Sequence, residues 1–238
     1  MSDPSRRAII ERRLLLVEGR ISAACRRAGR RREDVTLVAV TKSVSAATAS
    51  LLVELGVRHL GESRPQELWR KRAELPSTVR WHLVGHLQRN KIERTLPVHL
   101  IHSVDRVPVL AALDQEAMRR GMEVDVLLEV NASREATKMG FAPENMPEAI
   151  GEIAKLKRVS VRGLMTMAAP SKDPETCRPT FTLLRNLRDE LRDSVPPAHP
   201  FDHLSMGMSD DFEVAIEEGA TLVRLGTVLM EGVAKAAP

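Results

Sequence analysis

The feature that most constrains this chain is an alternation. Eight short runs rich in Val, Leu and Ile recur along it: Val35–Thr41, Val57–Gly61, Val79–Val84, Leu100–Ser103, Glu123–Val130, Val159–Met165, Asp202–Ser205 and Leu222–Leu225. Helical patterns fill most of the gaps, at Ala46–Leu55, Pro65–Ala73, Val107–Arg120, Pro147–Leu156, Pro174–Asp193 and Asp210–Glu217. Gly56, Gly121 and Gly219 stand where such helices stop. Repeated β-α units predict a parallel sheet. About eight of them in 238 residues predict an α/β fold closed as a (β/α)8 TIM barrel, with the open doubly wound sheet as the alternative. Ahead of the first strand, Ile10, Leu14, Val17, Ile21, Ala24 and Ala28 form one apolar stripe. It predicts an extra N-terminal helix from Pro4 to about Ala28, stopped by Gly29. No linker divides the chain, so residues 1–238 are expected to form one domain.

Composition narrows the function classes. No apolar run is long enough to span a bilayer, and the Leu14-Leu15-Leu16-Val17 run is too short for a signal-peptide core. Cys25 and Cys177 lie far apart with no metal-ligand spacing and read as free thiols of a cytoplasmic protein. Arginines cluster at Arg26-Arg27 and Arg30-Arg31-Arg32, yet aromatics make up 3% of the chain and tyrosine is absent. The cluster therefore reads as a solvated helix end rather than a nucleic-acid surface. The expectation is a monomer with neither nucleic acid nor membrane as partner.

In such a barrel the loops after the strands form the working face. Polar and glycine residues gather there: Lys42, then Glu62-Ser63-Arg64, Gly85 to Lys91, Asp105, Asn131 to Lys138, Met165-Thr166-Met167, Ser205 to Ser209, and Arg224-Leu225-Gly226-Thr227. Lys42 ends the first strand run. A lysine in a mostly apolar pocket there would have its pKa lowered by desolvation, and a neutral amine can attack an aldehyde to form a Schiff base. A lysine snorkelling from a strand end is the plainer alternative.

The last two loops read as an anion site. Ser205-Met206-Gly207-Met208-Ser209-Asp210-Asp211 opens a helix, with Asp210 and Glu213 fitting a capping box, and Arg224 to Thr227 adds a cation, a glycine and a hydroxyl. Phosphate sites recur after strands seven and eight of this fold. A phosphate site plus a strand-end lysine fits a Schiff-base aldolase acting on a sugar phosphate, or pyridoxal phosphate. Spacing alone leaves both open.

Motifs in order decide further. Val38-Ala39-Val40-Thr41-Lys42, Leu60-Gly61-Glu62, Trp81 to Lys91, Ile101 to Asp105, Glu129-Val130-Asn131, Thr137 to Phe141, Arg162 to Met167, Leu204 to Phe212 and Val223 to Thr227 together resemble the YggS/PROSC family, the pyridoxal phosphate homeostasis proteins. The resemblance implies a single barrel like the N-terminal domain of alanine racemases, with pyridoxal 5'-phosphate held as a Schiff base on Lys42. Ser205, Gly207, Gly226 and Thr227 match the phosphate-cradling loops, Arg224 matches the arginine facing the ring nitrogen, and Lys138 matches a second lysine near the mouth. Two positions depart from the family pattern. Ser63 stands where the family has asparagine, shortening a ring contact, and Val44 replaces a further lysine.

The remaining residues read more plainly. His82 and His86 straddle a strand end and are not expected to bind metal. His82 reads as a wall under the cofactor or a satisfied core group. Met165, Met167, Met206 and Met208 read as apolar packing round a flat ring. The resembling racemases place a tyrosine, from an appended β-domain, opposite the lysine. This chain has no tyrosine and ends shortly after its last strand run. The expectation is therefore a pyridoxal phosphate carrier without turnover, with apo pyridoxal phosphate enzymes as recipients. An amino-acid racemase or lyase is the alternative.

Overall fold

The computed structural model describes residues 4–135 and 139–233. Lys138 lies outside the described residues. Eight parallel strands close into a barrel in sequence order: β1 (Thr36–Val40), β2 (His59–Glu62), β3 (Arg80–Leu83), β4 (Leu100–Val104), β5 (Val124–Glu129), β6 (Val159–Met165), β7 (His203–Ser205) and β8 (Leu222–Leu225). Closure comes from β1 pairing with β8, with Val38 opposite Arg224 and Ala39 opposite Leu225. All eight strand runs form strands.

The helices are α1 (Pro4–Arg27), α2 (Ala46–Glu54), α3 (Pro65–Glu74), α4 (Ile92–Thr95), α5 (Val107–Arg120), α6 (Met146–Ile153), α7 (Arg178–Arg192), α8 (Phe212–Glu217) and α9 (Thr227–Met230). Four-residue α4 and α9 have no counterpart in the sequence reading. The stretch expected as one helix from Pro174 begins as a 3-10 turn, Pro174–Cys177, before α7.

The molecule has two apolar layers. A large core lies between sheet and helices, and a small one, of Val38, Leu100, Leu127, Met165 and Leu222, fills part of the barrel. Gly61 faces that interior: a methyl group there would lie 3.0 Å from Val38 and 3.4 Å from Val40 and Val84. The rest of the interior is polar, with His82, His102, Ser205 and Arg224 all buried.

The N-terminal helix does more than cover the barrel. Its stripe of Ile10, Val17, Ile21 and Ala24 is fully buried. Arg20 pairs with Glu213 at 3.0 Å and stacks over Phe212 at 4.6 Å. Arg27 bonds Glu217 at 2.6 Å, Arg30 donates to the Ile216 carbonyl at 2.9 Å, and Arg32 grips Glu18 through two nitrogens. Within the arginine cluster read as a solvated helix end, Arg27 and Arg30 thus tie α1 and the segment after it to α8, while Arg26 and Arg31 stay exposed. The expected Asp210–Glu213 capping box is absent. Glu213 is drawn to Arg20, while the Asp211 carboxylate accepts the Met208 N–H at 2.6 Å and closes the turn ahead of α8. No described helix is long and apolar enough to cross a membrane.

Candidate functional site

The turn after β1 is held from several sides. Thr41 continues the strand, its N–H bonded to the Gly61 carbonyl at 2.9 Å. Its hydroxyl donates to Glu62 Oε1 at 2.5 Å, and its carbonyl accepts from both Lys71 Nζ at 2.6 Å and the Val44 N–H at 3.1 Å. Lys71 also reaches Glu62 Oε1 at 2.6 Å, and both side chains are wholly buried. The residue before Lys42 is therefore fixed on backbone and side chain. After it, Ser45 caps α2 by accepting the Thr48 N–H at 3.2 Å.

Lys42 sits in the turn between these anchors, and its side chain is exposed. The apolar pocket expected round its amine is not there. Lys42 makes no hydrogen bond or ion pair among the described residues.

The expected anion loops lie beside it. A methyl group on Gly226 would stand 3.0 Å from the Val40 carbonyl oxygen, so the ends of β1 and β8 touch. Thr227 follows directly and is exposed. Ser209 Oγ accepts the Val228 N–H at 3.2 Å, tying the loop after β7 to the loop after β8. A cavity of about 600 Å³ is lined here by Arg20, Ser171, Lys172, Ser209, Asp210, Thr227, Val228 and Glu231.

Ser205 takes a different place from the one expected. Its hydroxyl is fully buried, 2.6 Å from Arg224 Nη1 and 2.8 Å from His102 Nδ1. Gly207 turns the chain outward at φ +92°, and a methyl group there would strike Ala215 at 2.6 Å, so α8 packs where a side chain would be. Ser209, beyond that turn, is the hydroxyl that faces the cavity. Ser63 is half-buried after β2, with Gly85 packed on its carbonyl, and Met165 is buried in the inner apolar layer.

Arg224 is buried, donating to Ser205 and, at 2.9 Å, to the Thr166 carbonyl. Burial lowers its pKa to about 10, opposed by the charges of Asp211 and Glu129, so it stays a cation at neutral pH. Glu129, at the end of β5, is shifted up by burial, with Asp105 adding to the shift and Arg224 opposing it.

From Arg224 a chain of hydrogen bonds runs down the barrel axis. Ser205 bonds His102, His102 Nε2 lies 2.8 Å from His82 Nδ1, and His82 Nε2 lies 2.9 Å from His59 Nδ1. Two proton orders satisfy the ring contacts, and one of them also keeps the Ser205 hydroxyl hydrogen bonded. In that order the Ser205 oxygen accepts from the Arg224 guanidinium and its own hydrogen goes to His102 Nδ1. His102 then carries its proton on Nε2 and gives it to His82, which does the same toward His59. Burial keeps His82 and His102 well below the usual histidine pKa and lowers His59 to about 4, as neutral relays require. His82 is thus a satisfied core group. His86 lies 3.2 Å from Asp105.

Sequence reasoning missed Lys71, Ser209 as distinct from Ser205, and His102. A signal existed for Lys71: it falls on the buried stripe of α3 between Leu68 and Leu75.

Comparison with known proteins gives the family. Residues 18–232 match the model of the alanine racemase N-terminal domain. A pyridoxal phosphate homeostasis protein of Aquifex aeolicus is 43% identical over 91% of this chain and 95% of its own length. Its Escherichia coli counterpart is 34% identical over 92% and 95%. The chain belongs to the pyridoxal phosphate homeostasis protein family. Among solved structures of similar proteins, PipY of Synechococcus elongatus, with pyridoxal phosphate bound, superposes with a TM-score of 0.80 at 32% identity, over 92% of this chain and 99% of that one. An uncharacterised Bifidobacterium adolescentis protein reaches 0.88 at 36%, over 96% and 97%. An alanine racemase of Clostridium difficile, at 20% identity and 0.67 over 83% of this chain and 55% of the racemase, shares the fold with this family.

Proposed function

We propose that this chain holds pyridoxal 5'-phosphate on Lys42 and takes part in pyridoxal phosphate homeostasis without substrate turnover of its own. The observation that carries the reading is the contact of Gly226 with Val40. It supports the reading by joining the strand that leads to the exposed Lys42 to the strand that leads to Thr227, a lining residue of the hydroxyl-bearing cavity. The donor set suits the cofactor: an amine for its aldehyde, and the hydroxyls of Ser209, Thr227 and Ser171 with the cation of Lys172 for its phosphate. When bound, the cofactor supplies an aldehyde that condenses reversibly with a primary amine.

The chain's own residues divide the work. Thr41, Glu62 and Lys71 hold the Lys42 turn in place. Arg224, kept cationic and oriented by Ser205 and Thr166, would present a donor that disfavours a protonated ring nitrogen and so would weaken a bound ring as an electron sink. An exposed site also leaves water to screen the charges that carbanion chemistry relies on. Racemisation would need a second acid–base group facing Lys42, and the chain contains no tyrosine to supply one. Cytoplasmic residence, a monomeric state and handover to apo enzymes belong to the same reading.

The test is borohydride reduction of the protein mixed with pyridoxal phosphate, followed by peptide mass spectrometry. The label is expected on Lys42 and absent from Lys42→Ala. Trapping on a different lysine refutes the assignment. Lys42-dependent turnover in an assay across amino acids would replace the carrier reading with the racemase or lyase one.

A further inference from the structure

The lower end of the histidine chain forms a cluster that the cofactor reading does not use. His59 opens β2, His82 lies on β3 and His99 directly precedes β4, so three adjacent strands deliver imidazoles to the amino-terminal mouth. Ring centroids lie 5.1 Å (His59–His82), 5.4 Å (His59–His99) and 5.1 Å (His82–His99) apart, a near-equilateral triangle. One nitrogen from each ring lies within 4.8 Å of the other two. His82 is buried, His59 half-buried and His99 exposed, so the triangle has a closed floor and an open side.

We propose that His59, His82 and His99 form a site for a divalent transition-metal cation, Zn²⁺ in the first instance, and that filling it reverses the hydrogen-bond chain leading to Ser205. Ligand nitrogens about 2.0–2.1 Å from tetrahedral zinc stand about 3.4 Å apart. His59 Nδ1 and His82 Nε2, at 2.9 Å, need to part slightly, and the exposed His99 ring needs only to swing inward. Water would complete the tetrahedron on the open side. Arg80 opposes a cation here, but its side chain is exposed and its charge is screened. Arg162 is engaged by Asp125 and Asp202.

Proton placement sets the consequence. His59 Nδ1 is already an acceptor, and its lone pair, engaged by the His82 Nε2–H, is released to the cation when that proton leaves. His82 Nε2 carries a proton and must give it up, so His82 takes its proton on Nδ1 instead. That proton then points at His102 Nε2, and His102 must move its own to Nδ1. The Ser205 oxygen then accepts from both His102 and Arg224, and its hydroxyl hydrogen turns away. Each ring keeps one proton throughout, so the change is a tautomer exchange with no net transfer.

The test is titration of Zn²⁺ into the metal-stripped full-length protein against a chromogenic chelator. One ion per chain is expected, bound at least tenfold more weakly by His59→Gln and His99→Gln, with unchanged circular dichroism. Unchanged affinity in His99→Gln, an exposed position where the fold is not at risk, overturns the site. So does failure of the parent protein to bind. Long-range ¹⁵N–¹H spectra report the tautomers: His102 is expected to switch from Nε2–H to Nδ1–H at saturating Zn²⁺, and a His102 that stays put overturns the coupling. None of these readouts involves pyridoxal phosphate, so the outcome is separate from that of the cofactor assignment.

Discussion

Lys71 Nζ lies 2.6 Å from Glu62 Oε1, and neither side chain has any exposed surface. The pair sits directly behind the turn that carries Lys42, and the lysine also holds the Thr41 carbonyl. Replacing Lys71 by Met strands a buried carboxylate whose other oxygen, Oε2, has no hydrogen-bond partner. The expected loss is about 3–5 kcal/mol, read by urea unfolding, and the Lys71→Met/Glu62→Gln double variant should recover part of it. A single variant within about 0.5 kcal/mol of the parent would show that the pair is not sealed from water.

Lys42→Ala should separate binding from folding. The side chain is exposed and makes no hydrogen bond or ion pair among the described residues, so stability is expected to change by no more than about 0.5 kcal/mol. The absorbance of lysine-bound pyridoxal phosphate should vanish.

Ser209 and Thr227, rather than Ser205, face the cavity next to β8. Ser209→Ala and Thr227→Val are each expected to weaken pyridoxal phosphate retention by about tenfold, the loss of one hydrogen bond to a charged group. Equilibrium dialysis checks this. A larger loss in Ser205→Ala than in either would return the phosphate contact to Ser205.

Gly207→Ala should destabilise the fold by about 1–3 kcal/mol. It puts a methyl group 2.6 Å from Ala215 at a left-handed φ. Thermal unfolding measures the effect, and an unchanged midpoint would show that α8 can retreat.

The interior histidines predict acid lability. His82 and His102 are neutral in the fold, with pKa values pushed well below the 6.5 they have when free. Between those two values the unfolded chain binds more protons, so stability falls as pH drops through about 6.5. Each contributes a slope of up to about 1.4 kcal/mol per pH unit there. Glu129 works the other way, because its raised pKa lets the fold hold a proton that the unfolded chain has released. Urea unfolding at about pH 7.5 and about pH 5.5 should show a loss of about 1–3 kcal/mol at the lower value, and equal stabilities would contradict neutral buried rings.

The strands were legible because each is a short run, largely buried on both faces, that recurs between helical patterns. The site was legible to the level of loops. Lys42, Gly226 and Thr227 fall together because closure pairs β1 with β8, a consequence of strand count alone. Within the loop after β7 the reading fails at single-residue level. Ser205 ends a strand and points inward, and the turn at Gly207 re-aims Met208 and Ser209, a change of direction that spacing does not reveal. The same holds for His59, His82 and His99, ligand-like only because three strands run side by side. α4 and α9 are too short for periodicity to register.

The joining of first strand to last has a temporal side. During synthesis Lys42 leaves the ribosome long before Thr227, and until β8 docks beside β1 the proposed anchor would have no neighbour to hold a phosphate. Capture of the vitamin would then certify that the whole ring of strands has shut, so a half-made or frayed copy could not sequester it.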